Sequence, residues 1–373
     1  MSPRTGDASP TARCTVSVII KAFNERAGIS RAVDSALAAV AMVGGEVVLA
    51  DSASTDGTPQ EAARFPIRIV QLAHPDERCC GIGPQIGYAY AKGEYVYLMD
   101  GDMVLEPGFL PRALAFLAQH PEVAGVGGRV VERHLESLEF RERHERAQRS
   151  EAHRAPGPVD RLDGGGLYRR VAIEEVGYLS DRNLHSYEEF DLAVRLRARG
   201  WRLWRLPCDA VAHQGHQAPA LRLLWRRWTS GYACGIGELV RAAAGRPWWR
   251  LVLRDLRELR LYAAVWGWWI TLGLVLLAAA WDARAVPPFG ALLLLPWLVV
   301  SLRKRSLARG TYAVAAWCVH AAGLARGVCR TRRDPQAPIA VRILREPRGS
   351  SALATRRAPG GLPPQRPPSS YPS

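Results

Sequence analysis

Two uncharged, almost purely apolar runs constrain this chain more than any other feature. Leu261–Trp281 has 21 residues and Val286–Leu302 has 17, and only Asp282, Ala283, Arg284 and Ala285 separate them. About 20 apolar residues in helical form cross a hydrocarbon core of about 30 Å. So short a break forces the two segments antiparallel, and the sequence predicts a transmembrane helical hairpin. Trp266, Trp268, Trp269, Trp281 and Trp297 suit interfacial positions. A helical pair buried in a soluble core is the alternative, and the Arg-rich flanks oppose it. The formal net charge is +15, with the excess concentrated in residues 222–260 and 301–348, on either side of the hairpin. Cations just outside a span hold the cytoplasmic side and bind anionic headgroups. Both outer ends are therefore expected in the cytoplasm and the 282–285 turn outside, in a multi-pass inner-membrane protein. The rest of the chain is near neutral, which argues against a nucleic-acid partner.

Seven Cys are irregularly spaced without a C-x-x-C, so reduced thiols are expected rather than a disulfide framework or zinc site. Residues 1–13 lack the apolar stretch of a secretory signal.

Upstream of the hairpin, short apolar runs alternate with helical stretches. Thr15–Ile20, Glu46–Ala50, Ile67–Leu72 and Tyr95–Met99 read as buried strands, and Ile29–Val43, 59–64 and Gly83–Ala91 as helices. The alternation predicts a parallel α/β sheet covered on both faces, with ligands beyond the carboxyl ends of its strands. Acidic loops at 51–56 and 100–102 fall at two such ends. Gly164-Gly-Gly166 precedes a small strand, Leu167–Arg169, and a helix, Val171–Val176. His185–Phe190 leads into a helix at Asp191–Arg199, and Trp201–Leu206 is expected to be the last strand. The charged stretch Glu132–Arg154 reads as an exposed helix or mobile segment. The expected organisation is a flexible start (1–13), an α/β domain (14–225), a basic amphipathic juxtamembrane region (226–260), the hairpin (261–302), a basic loop with an interfacial or third membrane helix (303–330), and a disordered tail (331–373).

Asp100-Gly-Asp102 closes the fourth strand. Two carboxylates so spaced can share one hard cation, and Mg2+ or Mn2+ at such a pair keeps positions for substrate phosphates. A turn with solvated Asp is the plain alternative. Four segments, in order, resemble family 2 glycosyltransferases. Ser17-Val-Ile-Ile-Lys-Ala-Phe-Asn-Glu25 is similar to the opening strand and loop, with Lys21 where Pro is usual. Asp51-Ser-Ala-Ser-Thr-Asp-Gly-Thr58 resembles the D-x-x-S-x-D-G-T nucleotide loop. Ala91–Asp102 resembles the A-x-G-E-y…D-x-D strand. Gly177-Tyr178, then Tyr187-Glu-Glu-Phe-Asp-Leu192 and Arg195, resemble the G-f…G-E-D-x-D-L-x-x-R block. The set covers roughly 15–215. The fold class it implies is α/β, a nucleotide-sugar-binding glycosyltransferase A fold, here with a C-terminal transmembrane helical hairpin.

The resemblance implies transfer of a sugar from a nucleotide-diphosphate-sugar donor, with inversion at the anomeric carbon. It places the donor on Ala22, Asn24, Glu25, Asp51, Asp100, Gly101 and Asp102, a divalent Mn2+ or Mg2+ on Asp102 and His213, and the general base at Glu189, where Asp is commoner. His216 is a second imidazole nearby. Gly165, Gly166, Glu188, Arg227 and Trp228 are candidates for the acceptor side. Arg226-Arg227-Trp228 resembles the end of the Q-x-x-R-W motif of processive polysaccharide synthases, with Leu224 at the Gln position; interfacial anchoring is its other reading. Asp56 reads as a turn residue before Gly57, and Asp191 as a partner of Arg195 one helical turn on. The expected acceptor is a hydroxyl of a lipid-linked or surface glycan. A polyprenyl-phosphate sugar transferase is the alternative on the same fold, and an ionised phosphate acceptor would need no base. An inactive membrane scaffold is opposed by the intact Asp51, Asp100, Asp102 and Glu189.

Overall fold

The computed structural model of the chain describes residues 14–132, 155–213 and 219–347. Val16–Ala22 (β1) sends Val16, Val18 and Ile20 into one core and Ile19 into another, as the two-residue period of a strand requires. A strand apolar on both faces belongs in the middle of a covered sheet. β1 accordingly lies between Gly45–Asp51 (β2) and Tyr95–Asp100 (β4), parallel to both, with Arg68–Leu72 (β3) beyond β2. Ile29–Val43 (α1), Thr58–Ala62 (α2) and Ile82–Tyr90 (α3) supply the crossovers. α1 buries Ile29, Ala32, Val33, Ala36 and Val40, a helical-period stripe, on one face of the sheet; Ile82 and Ile86 of α3 join the opposite core.

The sheet is mixed, not wholly parallel as the sequence suggested. Met103–Leu105 (β5), Val123–Glu132 (β6), Gly157–Val159 (β7), Gly166–Arg169 (β8) and Arg202–His213 (β9) complete its far half. β8 is antiparallel between β4 and β6, β9 is parallel to β6, and β5 and β7 are antiparallel to β9. β9 runs well past the expected end at Leu206, because Val211 and Ala212 remain buried between β5 and β6. Phe109–Gln119 (α4) covers the face shared with α1, while Arg170–Glu175 (α5) and Glu188–Ala198 (α6) add to the opposite layer.

The end of the described chain overturns one expectation. Within the supposed disordered tail, Val341–Arg345 (β10) pairs antiparallel with β3, Val341 opposite Leu72 and Ile343 opposite Val70. Without it β3 would be an edge strand with a row of unpaired backbone groups. Composition reads the Arg and Pro of this segment but not the demand of that edge. The expectations for 1–13, for most of 132–154, for His216 and for 348–373 lie outside the described residues.

After β9 come Ala220–Thr229 (α7), Gly235–Ala243 (α8), Trp249–Asp255 (α9), Glu258–Ala279 (α10), Val286–Lys304 (α11) and Leu307–Cys329 (α12). The expected boundary at 225/226 falls inside α7. Two helical segments, Glu258–Ala279 and Ala283–Lys304, are long and apolar enough to cross a membrane, and only 11% of each apolar window is buried. Leu274, Leu277 and Leu294 are exposed there, unlike the side chains of a soluble core helix. α12, by contrast, is pressed onto α8 and the turn before it. A Cβ on Gly237 would lie 2.0 Å from the Leu324 carbonyl oxygen, and one on Gly327 2.1 Å from that of Cys234. Glycine there lets two backbones approach as side chains would not allow. Leu184 and Phe190 from the sheet-bearing half join Ile236, Leu239, Tyr262 and Ala321 in a third core that ties the helices to the sheet.

Candidate active site

The parallel register places Ala22 opposite Asp51 and Lys21 opposite Asp100 at the carboxyl edge of the sheet. Asp51 is fully buried. Its Oδ2 accepts from the Ser54 amide and from Gln71 Nε2, both at 2.9 Å, while its Oδ1 has no partner. An orphaned buried carboxylate oxygen is costly unless a ligand satisfies it. The loops after β1 and β2 are laced together: Asn24 Oδ1 accepts from the Thr55 amide, and the Asn24 amide donates to Ser54 Oγ. Asp56 accepts from the amides of Arg26 and Thr58, which makes it the turn residue expected.

Gly101 lets Glu25 reach the D-x-D turn, since a Cβ there would lie 3.1 Å from Glu25 Cγ. Burial, then Asp102 and Asp100, push Glu25 up to about 8, against the opposing charge of His213. The turn runs into β5, and cross-strand register does the rest. His213 stands opposite both Met103 of β5 and Glu132 of β6. Its Nε2 is 3.1 Å from Asp102 and its Nδ1 2.7 Å from Glu132. Burial disfavours the imidazolium, but the hydrogen bonds to Asp102 and Glu132 outweigh it and raise His213 to about 10. A histidine held by a carboxylate at one nitrogen and facing an aspartate with the other suits metal ligation, where such an outer carboxylate fixes the ring. Among the described residues no group of three or more His, Cys, Asp or Glu is placed to hold a metal. Asp102 and His213 could together hold a divalent cation that completes its shell from outside the protein.

Glu188 and Glu189 open α6, where the helix dipole favours acids. Lys21 joins this end to the donor side: its Nζ lies 3.1 Å from both Asp100 and Glu188. Burial pushes Glu189 up to about 8; Lys21 pulls it down, and Glu188, Asp163 and Asp100 push it up again. One turn apart in the same helix, Asp191 and Arg195 form a buried pair at 2.8 Å, and Arg195 also donates to the carbonyls of Tyr178 and Leu179. Asp191 is a structural residue, as its spacing suggested.

The other acceptor-side candidates are more dispersed. Gly166 is a buried β8 residue opposite Leu98, packed so that a Cβ would strike Leu162; it presents no surface to an acceptor, which corrects that expectation. Gly165, at φ 111°, lies against the Leu98 carbonyl and the Tyr97 hydroxyl. Arg227 stacks over Tyr232 and Trp228 under Arg326, among the helices that follow the sheet. Tyr232 in turn accepts through its carbonyl from Ser186 Oγ, two residues before α6.

Residues 17–177 match the family model described as Glycosyl transferase family 2. Over those residues the chain is similar to glycosyl transferase family 2. The chain is 32% identical over 167 residues to probable glucomannan 4-beta-mannosyltransferase 15 of Arabidopsis thaliana, covering 41% of this chain but only 29% of the plant protein. It is 29% identical over 204 residues to the putative glycosyltransferase EpsE of Bacillus subtilis, covering 51% of this chain and 69% of that one. Its fold is that of a mannosyltransferase from Pyrobaculum calidifontis solved with GDP-Man and Mn2+, at a TM-score of 0.55 and 21% identity, over 83% of this chain and 88% of the other.

Two residues of the candidate site escaped the sequence reading. Glu132 looked like the start of a charged surface stretch, and only the β6–β9 register brings it to His213. Lys21 was visible as a departure from the family pattern, but its two partners lie 79 and 167 residues away, which no local spacing encodes.

Proposed function

We propose that this protein is an inverting, divalent-metal-dependent glycosyltransferase that moves a sugar from a nucleotide-diphosphate donor to a hydroxyl of a lipid-linked or surface-glycan acceptor at the cytoplasmic face of a membrane. One observation carries the reading: a single ammonium, Lys21, touches both the D-x-D aspartate Asp100 and the helix that begins with Glu188 and Glu189. The donor edge and the candidate base therefore face one space. The nucleoside is assigned to the Asn24–Glu25 and Asp51 loops, with the orphaned Asp51 oxygen as acceptor for one of its donors. Asp102 and His213 would hold Mn2+ or Mg2+, which when bound supplies Lewis-acid neutralisation of the leaving diphosphate. Glu189 takes the proton of the acceptor hydroxyl as that oxygen attacks the anomeric carbon from the face opposite the diphosphate. The exposed apolar helices α10 and α11 keep the site beside a bilayer, where a lipid-linked acceptor is concentrated.

The names of several relatives point to a mannose donor, and GDP-mannose, bound in the Pyrobaculum mannosyltransferase of like fold, is the first to test. Purified protein in detergent is titrated by thermal shift with a panel of nucleotide sugars, with and without Mn2+, and productive donors are followed to product by NMR of the new anomeric centre. One donor should stabilise wild type only with metal, stabilise D102A not at all, and give a product of inverted configuration. Binding that ignores Asp102, or retained configuration, sinks the assignment.

A further inference from the structure

We propose that the segment returning from α12, residues 330–346, is a strap whose Arg332 positions the loop that carries the general base, a role that rests on the assignment of Glu189 above. The loop in question runs from Gly177 to Tyr187 and delivers Glu188 and Glu189. Much of what fixes it comes from outside. Asp181, fully buried, accepts from the Asn183 amide at 3.0 Å and from Asn183 Nδ2 at 2.6 Å through one oxygen, and from Arg332 at 2.6 Å through the other. Arg332 supplies the cation that ion-pairs with this carboxylate. Arg182 pairs with Glu77 at 2.6 Å and donates to the carbonyls of Ala337 and Pro338, while Arg333 closes on the same Glu77. Asn183 and Arg333 exchange two hydrogen bonds, and Gln336 Nε2 donates to the Gly177 carbonyl at 2.9 Å.

At the upstream end, Arg330 lies 3.3 Å from Glu238, and Glu238 accepts from the His185 amide at 2.9 Å. At the downstream end, β10 is fixed on β3. The strap is thus stretched between the membrane-proximal helices and the sheet edge, and the base loop hangs from its middle. Removing one partner of a buried ion pair leaves a charge that the fold cannot tolerate in place. Loss of Arg332 should therefore release the loop, and with it the start of α6, while the donor side keeps its own contacts. Arg332 touches no substrate in this scheme; it is a positioning residue.

The test uses the full chain in detergent or nanodiscs, with R332A, R332K and, in case R332A fails to fold, R333A/Q336A, which removes strap contacts without stranding a buried charge. Amide hydrogen exchange is read first. In R332A the amides of residues 181–185 should exchange about tenfold faster or more, with those of β1 and β4 unchanged; R332K should lie between; R333A/Q336A should show about a threefold increase. GDP-mannose binding with Mn2+ should stay within about twofold of wild type, whereas single-turnover transfer should fall about tenfold or more, since a misplaced base costs rate and not donor affinity. Loop exchange within about twofold of wild type in both R332A and R333A/Q336A overturns the proposal, as does acceleration spread evenly over all strands in both. If the wild type transfers no sugar from any donor, the assignment of Glu189 falls, while the exchange data still decide whether the strap holds the loop.

Discussion

Replacing Glu189 by Gln keeps the size of the side chain and its place at the start of α6 but removes the proposed proton acceptor. Loss of a positioned general base typically costs about 10²–10⁴-fold in rate, so single-turnover transfer should fall by that factor while donor affinity is unchanged. The pH profile gives a sharper figure. Burial, opposed in part by Lys21, raises Glu189 to about 8, and only the ionised form can take a proton. At pH 7 roughly a tenth of the molecules carry the carboxylate, and at pH 9 roughly nine tenths, so the wild-type rate should climb about tenfold over that interval. E189Q should lose the climb as well as the rate. K21M, which removes the cation opposing the shift, should move the climb to higher pH. Single-turnover conditions are needed because product release often hides the chemical step. A wild-type profile flat between pH 6 and 9, or an E189Q variant retaining more than about a tenth of the rate, would falsify the base assignment.

The buried Asp191–Arg195 pair makes R195A a stability variant: it should cost about 3–5 kcal/mol in urea unfolding, because Asp191 is left charged and unpaired; a loss below about 1 kcal/mol would refute that accounting. G237A should destabilise by about 1–3 kcal/mol by driving α8 from α12, seen as a lower Tm and faster exchange in α12, and an unchanged Tm would mean that the helices separate freely. Glu25, raised to about 8, binds a proton more tightly folded than unfolded, so its contribution to stability is complete below its unfolded pKa near ~4.3 and is lost as pH rises through about 8. The Tm of the metal-free protein should accordingly fall between pH 5 and 9, and E25Q should flatten that fall; an equal slope in the variant would show that Glu25 titrates normally.

The central sheet was legible because β1, β2 and β4 are short, β-branched and buried on both faces, and the acidic loops sit at their ends. Apolar run length and charged flanks were enough to mark α10 and α11. What escaped was set by pairing between distant strands. Nothing around His213 announces Glu132, and the reach of β9 to His213 follows from β5 and β6 offering it partners on both sides. The strand at Val341–Arg345 was hidden by the Arg and Pro content of the segment around it, since what holds it is the open edge of β3, and what holds the residues leading to it is Glu77 and Asp181, far upstream. Gly166 was misjudged for a related reason: a glycine cluster looks like a loop open to ligand, yet here Gly166 makes room for Leu162 and Gly165 lies against the Leu98 carbonyl of β4.

The pairing of β10 with β3 also fixes a parity. β3 precedes the long apolar helices and β10 follows them, and two hydrogen-bonded strands must share one aqueous compartment. Whatever path the chain takes between them, it meets a bilayer an even number of times. Crossings by α10 and α11 satisfy that count, and one more by α12 would break it. Where α10 and α11 are the two crossings, α12 stays on the side of the sheet, pressed against α8, and both ends of the hairpin are tied to the same folded body.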